Sequence, residues 1–160
     1  MFLEMKDGMI IEKQRYPSPS SEIDLYLVTY WSNGLRVKGF LAEPKSDGVY
    51  DGFLYLRGGI KNVGMVRIGR IIQFASEGFV VMAPFYRGNQ GGDGNEDFGG
   101  EDRFDAISAF KLLEQHEKVN PRRIHLFGFS RGGIMALLTA LHVQTACSVV
   151  TWGGVSDVSL

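Results

Sequence analysis

The stretch His125-Leu126-Phe127-Gly128-Phe129-Ser130-Arg131-Gly132-Gly133-Ile134-Met135-Ala136-Leu137 passes from an apolar strand, through a serine flanked by glycines, straight into a helical pattern. Few junctions restrict a fold so tightly. A serine on so abrupt a strand-to-helix turn tolerates only the smallest neighbours, and Gly128 and Gly132 stand two residues on either side of Ser130. The helix that follows aims its free N–H groups and positive dipole end back at the serine, so negative charge developing there is stabilised. The G-x-S-x-G pattern therefore predicts Ser130 as a nucleophile.

Around this junction the chain alternates strands and helices. Leu25–Trp31 and Leu35–Ala42 are rich in β-branched and aromatic residues, and Asn33-Gly34 between them predicts a β-hairpin. Gly52–Arg57, followed by Gly58-Gly59, is a continuous apolar run of the kind found in strands covered on both faces. Met65–Glu77 predicts a helix closed by Gly78, Phe79–Ala83 a strand, and Glu101–His116 a helix with Phe104, Ile107, Phe110 and Leu113 inward. Arg123–Phe127 feeds the elbow, the next helix runs to about His142, and Cys147–Trp152 reads as a sixth, buried strand. Residues 1–22, with Pro17 and Pro19 among serines, carry little pattern and are expected as an arm laid on a domain of residues 23–160.

At 160 residues and 44% hydrophobic content, one domain with a real core is expected. A net charge of −1 offers no general attraction to nucleic acid or an anionic membrane. The single Cys147, expected to be buried, excludes an internal disulfide and fits a reducing compartment; with no signal-like or membrane-spanning run, a cytoplasmic protein is expected. No cofactor or metal is called for. Asp93, Asn95 and Asp97 imitate the opening of a calcium loop, but Phe98 and Phe104 occupy the positions where its glycine and closing glutamate belong.

The element order, behind an N-terminal hairpin, resembles the α/β-hydrolase fold: an α/β, doubly wound, mostly parallel sheet with an antiparallel hairpin at its start. The sequence resembles the catalytic domain of the prolyl oligopeptidase family and the small esterases related to it. Three segments carry the resemblance: Tyr86-Arg87-Gly88-Asn89-Gln90-Gly91, Gly99–Ala106 and Gly128–Gly133, within a likeness covering roughly residues 25–157. It implies a serine hydrolase that takes a small ester or peptide through an acyl-enzyme, with Ser130 as nucleophile and the Arg131 N–H as one oxyanion donor. The second donor is expected from Gly59, in an Arg57-Gly58-Gly59 run where relatives carry histidine-glycine-glycine or tyrosine-glycine-glycine. Arg57 and Tyr86 are candidate contacts to substrate or oxyanion. Arg57 is equally readable as the partner of Glu43 or Asp51.

The family's aspartate and histidine follow its seventh and eighth strands, whereas this sequence reads as a fragment truncated after the sixth. None of His116, His125 and His142 falls where a base for Ser130 belongs, and Asp157 has no histidine to orient. Two function classes remain: a serine hydrolase present as a fragment, and a non-catalytic module that self-associates through the open sixth-strand edge. A dinucleotide-binding domain is disfavoured, because Ser130 stands where that fingerprint requires glycine.

Overall fold

The computed structural model describes residues 4–154. Asp157 lies outside them. The elements are β1 (Ile10–Tyr16), β2 (Ile23–Ser32), β3 (Leu35–Pro44), β4 (Tyr50–Leu56), α1 (Ile68–Ser76), β5 (Phe79–Pro84), α2 (Arg103–Gln115), β6 (Val119–Phe129), α3 (Arg131–Val143) and β7 (Ser148–Trp152). The strands form one sheet in the order β1-β2-β3-β5-β4-β6-β7. Its first half is antiparallel, through β5 on β3, and its second half parallel. This is the α/β-hydrolase arrangement.

The apolar strands work as their composition predicts. Leu54 and Leu56 of β4 join a core with Phe110 of α2 and Met135 of α3, while Phe53 and Tyr55 face the other side with Ile71 of α1. Val80 and Met82 alternate with Val81 and Ala83 in the same way along β5. Burial on both faces is what an uninterrupted hydrophobic strand requires. At the hairpin, Asn33 and Gly34 both take positive φ (48° and 82°), as a two-residue type I′ turn demands.

Three expectations are corrected. Residues 10–16 are not part of a surface arm; they form β1, paired antiparallel with β2 along its length. Only Ile10 is partly buried, so this edge strand is polar on both faces and carries no hydrophobic period for sequence reading to detect. The sixth strand expected from sequence is β7, and all five of its residues are exposed, because among the described residues it pairs with β6 alone. Cys147, just before it, is likewise exposed rather than buried. Finally, β6 begins at Val119 and contains Pro121, where its pairing with β4 breaks between Val119 and Ile124. Proline's missing N–H is tolerated in that irregular stretch.

Candidate active site

The parallel strands β4 and β6 end side by side, and the site lies at their carboxyl ends. Ser130 follows β6 with φ 54° and ψ −119° and opens α3. A serine tolerates this left-handed backbone only where the surroundings enforce it. The enforcement is visible at the two glycines: a Cβ on Gly128 would lie 2.0 Å from the Gly132 carbonyl oxygen, and one on Gly132 would lie 1.9 Å from that of Leu56. Gly58 is also close, though less tightly held, since a Cβ there would come within 2.9 Å of Cβ of Ser130.

Ser130 and Gly59 line a cavity of about 770 Å³ together with Tyr55, Phe74, Phe127, Phe129 and Trp152. Arg67, just before α1, and Arg70 and Gln73 within it add a polar side. Among the described residues, no internal acceptor takes the backbone N–H of Gly59 or of Arg131, and the Ser130 hydroxyl has no hydrogen-bond partner. Free donors beside a constrained serine are the kind of groups from which an oxyanion site is built.

Arg57 and Tyr86 do not line this cavity. Arg57 is fully buried, and its guanidinium donates to the carbonyls of Lys61, Val63, Gly64 and Phe85. Its acidic partner is Glu96 at 3.7 Å, rather than Glu43 or Asp51. Four of its five N–H donors are taken by these carbonyls and the group faces Glu96, so the expected role of Arg57 at the oxyanion gives way to one of bracing the loop after β4. Tyr86 is also fully buried, and its hydroxyl donates to the Arg57 carbonyl at 3.2 Å. Burial pushes its phenol well above the ordinary value, which keeps it a neutral donor enclosed behind the site. Its ring lies 4.7 Å from the Arg131 guanidinium and 5.7 Å from that of Arg57.

The residues that sequence reading missed are acidic. Glu96 accepts from Arg131 at 2.6 Å and from the Lys61 N–H. Burial alone would raise its pKa, but these hydrogen bonds hold it below the usual glutamate value. Asp102, fully buried, accepts from Arg131 and from the N–H groups of Asp97, Phe98 and Gly99. Asp105, also buried, accepts from the Arg87 backbone and guanidinium and from the Ser32 hydroxyl. Their proximity to the helix start offers only the dipole explanation at the level of sequence. Asp93 pairs with Arg36, and Asp97 caps the loop before α2.

Each histidine is occupied elsewhere. His116 accepts the Lys118 N–H on Nδ1 at 3.0 Å and lies 3.4 Å from Glu43 through Nε2. His142 is in the last turn of α3, about 18 Å along the helix axis from Ser130, edge-on to Phe104. His125 sits between Asp51 on β4 (2.8 Å) and Ser148 on β7 (2.6 Å). Hydrogen bonds from Arg123 lower the Asp51 pKa, so its carboxylate can only accept. His125 Nε2 therefore donates to Asp51, while Nδ1 lies against the Ser148 hydroxyl.

The family model described as the prolyl oligopeptidase family matches residues 66–159. A Bacillus subtilis (strain 168) protein described as "Uncharacterized peptidase YtmA" is 71% identical over 153 residues, which are 95% of this chain and 60% of that protein. "Protein usf" of Aquifex pyrophilus is 30% identical over 130 residues, covering 71% of this chain and 54% of that one. The chain thus spans less than two thirds of the length of the curated relatives it matches. Acetyl xylan esterase 1 from Thermoanaerobacterium sp. JW/SL YS485 superposes with a TM-score of 0.73 at 18% identity, over 86% of this chain and 50% of that one. At that identity the likeness is one of fold.

Proposed function

The chain belongs to the prolyl oligopeptidase family, and from that premise we propose that Ser130 is the nucleophile of a serine hydrolase acting on small esters or peptides. The serine Oγ attacks the substrate carbonyl carbon while its proton passes to a base. The carbonyl electron pair moves onto oxygen, where the N–H groups of Arg131 and Gly59 receive it. Collapse of this intermediate expels the alcohol or amine and leaves an acyl-serine, which water then hydrolyses. None of the three histidines is placed to serve as that base, since all have other partners.

One observation carries the reading. A serine at φ 54° opens a helix on a cavity that it shares with Gly59, and the two flanking N–H groups have no internal acceptor among the described residues. The cavity's aromatic lining suits an apolar acyl or leaving group.

A fluorophosphonate probe tests the reading on the 160-residue chain. Labelling is expected at Ser130, slow and rising with pH because hydroxide must take the proton where no described residue is placed as the base, and absent in Ser130→Ala, with His125→Gln and Ser148→Ala labelled like the parent. Equal labelling of the parent and Ser130→Ala would remove Ser130 from the mechanism.

A second reading draws on the exposed edge. Val150 and Trp152 of β7 are 50% and 67% exposed, and their strand pairs on one side only among the described residues. Such an edge favours self-association through β7, with or without catalysis.

A further inference from the structure

The loop between β4 and α1 carries the second expected oxyanion donor, yet it has little structure of its own. Gly58, Gly59 and Gly64 make it permissive, and Val63 N–H to the Ile60 carbonyl, at 3.0 Å, is its internal backbone hydrogen bond. What shapes the loop comes from buried charge. Arg131 donates from Nη1 to the Gly59 carbonyl at 2.9 Å and to Glu96 at 2.6 Å. Glu96 in turn accepts the Lys61 N–H, and Arg57 takes the carbonyls of Lys61, Val63 and Gly64.

We propose that Arg131 and Glu96 are positioning residues that hold the two halves of the oxyanion site in one geometry. Arg131 supplies one donor from its backbone, while its side chain, braced by Glu96 and Asp102, grips the residue that supplies the other. The inference rests on Ser130 being the nucleophile. Its physical basis is that an oxyanion site works through donors already in place when charge develops. A glycine-rich loop held only by solvent would have to be ordered during the reaction. Buried ion pairs commonly stabilise a fold no better than apolar residues of the same volume, and in some proteins they fix a particular geometry instead. Here that geometry joins α3, the loop after β4 and the segment before α2.

The fork shape of arginine lets one side chain serve several partners. Its guanidinium reaches the Gly59 carbonyl, Glu96 and Asp102 at once. A lysine ammonium is a point charge on a flexible stem and cannot reproduce that fixed plane. Glutamine at position 96 would still accept the Lys61 N–H while removing the countercharge.

The test uses the 160-residue chain with Arg131→Lys and Glu96→Gln. Two phosphonate probes with the same leaving group, one bearing P=O and the other P=S, are compared by their labelling rates at Ser130. Sulfur is the poorer hydrogen-bond acceptor, so the P=O preference reports the oxyanion donors separately from folding and from the reactivity of the serine. The preference is expected to fall about tenfold in both variants, and the ¹⁵N amide signals of Gly59, Lys61 and Gly64 to shift or broaden. An unchanged preference in both variants overturns the proposal, whatever their thermal stability. If the parent chain is not labelled at all, the nucleophile reading fails instead, and the amide signals then decide the clamp: displaced signals uphold it and unchanged signals overturn it.

Discussion

Gly132, in the first turn of α3, packs so closely on Leu56 at the end of β4 that a Cβ would stand 1.9 Å from the Leu56 carbonyl oxygen. Backbone touches backbone there, and neither side can yield as a flexible side chain would. This contact sets how near the elbow comes to the loop holding Gly59.

Gly132→Ala should therefore destabilise the chain despite alanine's better helix propensity, by about 1–3 kcal/mol or more as an overpacked site. Gly69→Ala in α1 is the matched control, since a Cβ there meets nothing within 4 Å. Its expected effect is a gain of about 0.5–1 kcal/mol. Chemical denaturation of the two variants measures both, and similar stabilities would contradict the close approach.

Ser130 occupies a left-handed backbone that favours glycine. Ser130→Gly should exceed Ser130→Ala in stability by about 1 kcal/mol, although both lose the hydroxyl. Urea midpoints of the two variants check this, and an advantage for alanine would mean that the turn is not strained.

Glu43 links the start of the domain to the end of α2. Burial raises its pKa, but His116 Nε2 at 3.4 Å and the Lys13 ammonium at 2.7 Å outweigh burial and bring it down to about 2. Because the folded value lies below the unfolded value of about 4.3, its contribution is fully present above that pH. It is lost as the pH falls towards 2. Lys13 stands partly in water at 2.7 Å, so the contribution is discounted to about 2 kcal/mol. Glu43→Gln should flatten this acid limb of the stability curve, measured by urea unfolding across it, and an unaltered limb would assign the loss to other carboxylates.

The β7 edge yields a prediction independent of chemistry. Val150→Lys places a charge on the exposed strand and should shift the sedimentation profile towards monomer. A parent chain that is already monomeric would refute the self-association reading.

How much was legible in advance can be judged from particular residues. Gly128, Ser130 and Gly132 could be read because close backbone contact permits only glycine, whatever the distant surroundings are. The runs in β4 and β5 were legible because burial on two faces leaves a continuous apolar signature. β1 was not, since an edge strand with both faces in water satisfies its backbone on β2 without any apolar period. Arg57 was legible as unusual, but its two readings, substrate contact or ion pair, stayed open, because a guanidinium that braces a loop and one that faces a ligand look alike in sequence.

The chain's own order of residues thus determined the α/β-hydrolase fold, the strand-to-helix elbow and the place of Ser130, since these follow from periodicity and glycine sterics within short segments. Only the tertiary structure decided that Arg131 reaches Gly59, Glu96 and Asp102, that Tyr86 is enclosed, and that His125 belongs to Asp51 and Ser148. Those partners are separated by tens of residues. Long, flexible charged side chains carry no local period, and their pairing is fixed by which segments the sheet brings together.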